Sequence, residues 1–102
     1  MKEFEIISAG GIMADHVGIS PDIEAVVADL FADGEFDMDT PGTVVPRIDE
    51  AKSALQSDPN RYREMLAPGT RLGLRRVVSM LNSMRDILSD HPEATVSGPV
   101  NP

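Results

Sequence analysis

Catalytic chemistry in this chain would have to come from a short list of side chains: two histidines, scattered serines and threonines, and seventeen carboxylates, with no cysteine. Ser8, Asp15 and His16 are the residue types of a nucleophilic triad, in which a base takes the hydroxyl proton and a carboxylate orients the base. Their spacing does not order them, and a histidine beside an aspartate reads first as a surface pair. His91 stands far along the chain, neither histidine has a second one at helical spacing, and without thiolates the two make a poor metal set. Asp33, Glu35, Asp37 and Asp39 alternate in a manner that oxygen-ligated calcium can use. With Asp37 as the first position of a calcium loop, Asp39 and Gly42 fall where a ligand and the sharp turn belong. Pro41 and Ile48 then occupy two ligand positions, the second where a bidentate glutamate is required, and the pattern fails. Ala9-Gly10-Gly11 lacks the spacing of a phosphate-binding loop, and no Lys or Arg follows it before Arg47, which leaves a turn. The sequence therefore gives no catalytic residue, no cofactor and no metal site.

Charge is more informative than motif. The net charge is −8, and it is unevenly spread. Residues 1–57 hold three bases (Lys2, Arg47, Lys52) against twelve acids, while residues 58–102 hold six arginines against five acids. Direct nucleic-acid binding by the acidic half is disfavoured, because phosphate contacts need clustered cations. The absence of cysteine excludes disulfides and thiolate chemistry. No apolar run reaches the roughly 18 residues that a membrane span needs. The first residues, Met1-Lys2-Glu3-Phe4-Glu5, lack the basic start and long apolar stretch of a secretory signal, so the expected location is cytoplasmic.

The elements that would position these groups read as mainly helical. Lys2 to Ser8 predicts a short strand or extended arm ended by Gly10-Gly11, and Ile12, Met13 and Val17 suggest a helical turn before Gly18. Ser20-Pro21-Asp22 is a helix start, with a capping serine, a proline at the first position and an acid at the positive end of the dipole. Ile23, Val26, Val27, Leu30 and Phe31 then form one apolar face, which predicts a helix over 21–33. Residues 34–46, with two Gly, two Pro and three acids, predict a loop, extended at most over Thr43 to Val45. Pro46 opens a helix to Gln56 lined by Ile48, Ala51 and Leu55, and Asp58-Pro59 starts a short one carrying Tyr62, Met65 and Leu66. Leu74, Val77, Leu81, Met84 and Leu88 step as a heptad seam, broadened by Val78, Met80 and Ile87, in a helix over 70–90. From His91 the composition is that of a tail. The expected fold is a mainly α, small three- to four-helix bundle over 1–90 with an N-terminal strand or arm and a flexible tail over 91–102. That strand would lie across the bundle, pair with Thr43 to Val45, or exchange with a neighbouring subunit.

Two charged stripes border the apolar seams. Asp22, Asp29 and Asp33 align on the first helix and continue into the acidic loop at Glu35, Asp37 and Asp39. Arg71, Arg75 and Arg85, with Asn82, edge the last helix. Meeting across a helix pair, such stripes would contribute a few tenths to about 1 kcal/mol per exposed pair. Facing outward, they would be surfaces for partners of opposite charge. The functional expectation is a small acidic non-catalytic protein–protein interaction or assembly protein, with a protein partner or self-association and no membrane. The alternative is an acidic inhibitor that imitates nucleic acid and occupies a basic groove. An enzyme or accessory subunit of one stands third.

Overall fold

The computed structural model describes residues 2–70 and 73–100. It is a mixed α/β fold around a four-stranded antiparallel sheet, which corrects the expected helical bundle. The elements run β1 (Lys2–Ile7), β2 (Met13–Ile19), a 3-10 turn (Pro21–Ile23), α1 (Glu24–Leu30), β3 (Phe36–Asp39), α2 (Pro41–Ser57), α3 (Pro59–Arg63), α4 (Arg75–Asp90) and β4 (Thr95–Val100). Strand order is β2-β1-β4-β3, so the first and last strands lie together at the centre. No helix among the described residues is long and apolar enough to cross a membrane.

β1 and β2 form a hairpin through the paired glycines. Ser8 and Ile12 close the turn, the Ser8 N–H donating to the Ile12 carbonyl at 2.8 Å, and Gly11 takes the left-handed φ of 77° that a glycine adopts at little cost. The helical turn expected at Ile12 to Val17 is therefore a strand. Val17 and Ile19 alternate with His16 and Gly18, and only the first two are buried.

β4 replaces the expected tail. It pairs with β1 (Ile6 opposite Val96) and with β3 (Phe36 opposite Gly98). Gly98 makes this closeness possible: a Cβ there would sit 2.8 Å from the Glu3 carbonyl oxygen and 3.4 Å from the Phe4 Cα. Its φ of 120° is also one that side-chain-bearing residues rarely adopt.

Two helices begin or end away from the expected places. The first starts as the 3-10 turn and ends at Leu30, with Phe31 to Asp33 in a turn. α2 begins at Pro41 and passes through Pro46, absorbing Thr43 to Val45. An internal proline removes one N–H and crowds the carbonyl four residues earlier. Here that residue is Gly42, exposed near the helix start, so water can satisfy its carbonyl. Burial drives the extension: Val44, Ile48, Ala51 and Leu55 make one continuous inner stripe.

One face of the sheet carries the core. Phe4 and Ile6 of β1, Val17 and Ile19 of β2, Phe36 of β3 and Val96 of β4 are buried against helices. Val77, Met80, Leu81, Met84 and Leu88 of α4 supply the other side, so the heptad seam meets sheet and α2 in one core. Phe31 packs edge-on against Phe4 and Phe36, which are tilted to each other, with centroids 5.4–5.9 Å apart. The Arg47 guanidinium lies 4.6 Å from the Phe36 ring centroid and donates to the Gly34 carbonyl at 2.8 Å. That cation fixes the turn between α1 and β3.

Candidate interaction surface

Among the described residues no helix covers the other face of the sheet. β1 presents Glu3, Glu5 and Ile7 there, and β2 presents His16 and Gly18, with Glu3 opposite Gly18 and Glu5 opposite His16. Ser97 lies opposite Glu5 on the other side, and Thr95 opposite Ile7. All the β1 residues in this row are half-buried, as side chains shielded only by their strand neighbours are. His16 Nδ1 lies 2.5 Å from Glu3 Oε2, a contact that leaves the Glu3 side chain 14% exposed and the imidazole 64% exposed.

The two edges of the sheet differ. β3 is four residues long, and Met38 sits at a left-handed φ of 53° with its N–H donating to Ser97 Oγ at 3.0 Å. Such a kinked, short edge is a poor template for another strand. β2 is seven residues long and its pairing is regular from Asp15 to Ile19. The Glu3 carbonyl points at β4, being the atom that excludes a Cβ from Gly98. By antiparallel alternation the main chains of Phe4 and Ile6 then bond β2 through Val17 and Asp15. The N–H and C=O groups of His16 and Gly18 must face outward from the sheet edge, while Ala14 is the extra residue at the register shift beside Ile7. The His16 N–H confirms the phase, since it is held by the Asp15 carboxylate at 2.8 Å rather than by β1. Beside this edge, at the hairpin end, Ile12 and Met13 are 73% and 51% exposed, and Met38 is exposed at the opposite edge.

The residues considered for a triad are engaged separately. The Ser8 hydroxyl donates to the Ile12 carbonyl, the Asp15 carboxylate holds a main-chain N–H, and the His16 ring meets Glu3. His91 lies near Glu93 at 3.9 Å, far along the chain from His16. The would-be calcium positions are divided between β3 and the first turns of α2. Among the described residues no three His, Asp or Glu side chains group as a metal would require. A cleft of ≈ 210 Å³ lies among Lys2, Ile19, Glu24, Val27, Ala28 and Pro99, below the usual size of a small-molecule site.

Part of each charged stripe is spent on ion pairs within the molecule. Asp22 accepts from Arg76 at 2.9 Å, Asp29 from Arg61 at 3.0 Å, and Asp49 from Arg85 at 3.1 Å. Asp22 also accepts from the Ser20 hydroxyl, and its carbonyl accepts from the Ala67 N–H, tying the corner after β2 to α4 and to the segment before it. Arg85 reaches α2 rather than the first helix, and its hydrogen bond holds the Asp49 carboxyl below its ordinary range while the guanidinium is raised. Arg75 is exposed at the start of α4, and Arg71 lies outside the described residues. Asp33, Glu35 and Asp37 are exposed in and after the turn that follows α1, and Asp39 accepts from the Asp37 N–H.

No protein-family model, curated protein or solved structure shows a significant match to the chain. The surface is therefore read from its own geometry. The residues that define it, His16 and Gly18 at the β2 edge with Glu3 and Glu5 beside them, were absent from the two charged stripes that sequence reading favoured. The signal for them was the short alternation Asp15, Val17, Ile19 after a paired-glycine turn, a hairpin pattern with period two.

Proposed function

We propose that this chain is a small non-catalytic protein–protein interaction or assembly module, an adaptor, scaffold or structural subunit, working through the outer face of its sheet. The observation that carries this reading is a four-stranded sheet packed with helices on one side only, its bare side ending at a strand edge that is regular from Asp15 to Ile19. Antiparallel sheets tolerate one wet face, but long free edges are normally blunted or covered. Exposed Ile12, Met13 and Met38 add apolar contact at the rims of that side. The absence of cysteine suits a reducing, cytoplasmic setting.

The acidic alternative, occupation of a basic groove in place of nucleic acid, draws on exposed Asp33, Glu35 and Asp37. It must do without Asp22 and Asp29, whose charges arginines already neutralise. The interaction reading is tested by light scattering together with affinity capture, comparing the native chain with Ile7→Arg, which places a cation in the bare face. Self-association or a specific partner lost in the variant is expected. A monomer whose captured proteins are the same for both chains would contradict it.

A further inference from the structure

We propose that the free edge of β2 takes an extended, basic segment of a partner protein as a fifth strand, an inference that rests on the interaction reading above and names its occupant. The main chains of His16 and Gly18 supply the outward N–H and C=O groups that strand addition uses. The strand contains no proline, lysine or arginine, the residues that commonly guard such edges.

Asp15 is the second part of the device. Its carboxylate holds the His16 N–H at 2.8 Å, occupying the position an incoming carbonyl would take. Strand addition exchanges that bond for a main-chain one and releases the carboxylate beside the new strand, where it can meet a cation. Charge then selects the occupant. Glu3 and Glu5 lie one strand in from the edge on the outer face, and Lys2 is the only Lys or Arg before Arg47. Exposed Ile12 and Met13 offer contact to an apolar residue at the hairpin end. A second copy of this chain fits less well. Two-fold pairing about His16 would bring both Asp15 carboxylates to the junction and join two chains of net charge −8.

The test titrates the isotope-labelled full chain with acetylated Lys-Val-Lys-Val-Lys-Val-Lys and, separately, with its Glu-for-Lys counterpart, following amide resonances and hydrogen exchange. The basic peptide should slow exchange at His16 and Gly18, and its binding should weaken about tenfold or more between about 50 and 500 mM salt. The acidic peptide should not bind. His16→Pro removes an outward donor without breaking a bond to β1, and should abolish binding while the melting temperature is retained. Asp15→Lys, an exposed charge reversal, should weaken binding as well, and serves if the proline variant does not fold. Binding that survives both variants, perturbations confined to the helices, or equal binding of both peptides would overturn the proposal. So would a dimer in light scattering that His16→Pro dissolves, since the edge would then belong to a second copy. No peptide binding, with a partner that Ile7→Arg still displaces, would sink the β2-edge inference and leave the interaction reading standing.

Discussion

Replacing Gly98 with alanine tests the placement of the last strand at the centre of the sheet. The backbone there has φ 120°, and holding an L-residue in so sparsely populated a region costs about 1–3 kcal/mol. The added methyl would lie 2.8 Å from the Glu3 carbonyl oxygen and 3.1 Å from the Val100 nitrogen, both main-chain atoms that cannot rotate away. Forcing β4 from β1 to admit it adds about 1–3 kcal/mol of overpacking. The sum, about 2–6 kcal/mol, is a large part of the roughly 5–15 kcal/mol by which domains are stable. Thermal unfolding followed by circular dichroism should show a loss of about 10 °C or more. Urea unfolding should show a lower midpoint with little change in slope. Glu93→Ala, at an exposed position before β4, is the control and should change little. If Gly98→Ala melts within about 2 °C of the native chain, residues 95–100 are not packed against β1 and the sheet order is wrong.

Leu81 is fully buried where α4 enters the core, so Leu81→Ala should cost about 2–5 kcal/mol by chemical denaturation, and an unchanged midpoint would show the α4 face to be misplaced. The Asp49–Arg85 pair gives a pH signature. The folded-state carboxyl is lowered from 3.8, so its stabilisation is complete above that pH and is lost as the pH falls through the folded value. The melting difference between the native chain and Asp49→Asn should therefore be small near neutrality and vanish in acid. A difference that grows below pH 3.8 would contradict the assignment.

The helices were legible where a stripe of large apolar residues was long enough. Ile23, Val26, Val27 and Phe31 face inward as their spacing requires, as do Val77, Leu81, Met84 and Leu88. What those stripes pack against was not legible, because an apolar seam fits a sheet as well as another helix. The strands were lost for separate reasons. In β2, Ile12, Met13 and Val17 also match helical spacing, and only the shorter alternation through Ile19 marks a strand. In β4, the run Thr-Val-Ser-Gly-Pro-Val has the composition of a tail. Its order comes from partners distant in sequence, β1 and β3, and from a glycine that lets β1 approach. In α2, Pro41 and Gly42 read as loop residues and Pro46 as a helix start, yet Val44 already stood four positions before Ile48 on the same stripe. The interaction surface was obscure for a related reason: an edge is defined by which strands are missing beside it, and topology alone decides that.

Hydrogen exchange of the free chain, residue by residue, addresses the open sheet most directly. Slow amides are expected at Val17, Ile19 and Val96, with fast exchange at Gly18, the alternation of a strand bonded on one side only. Uniform protection along β2 would mean that its edge is already covered, and rapid exchange throughout 95–100 would mean that no such sheet exists.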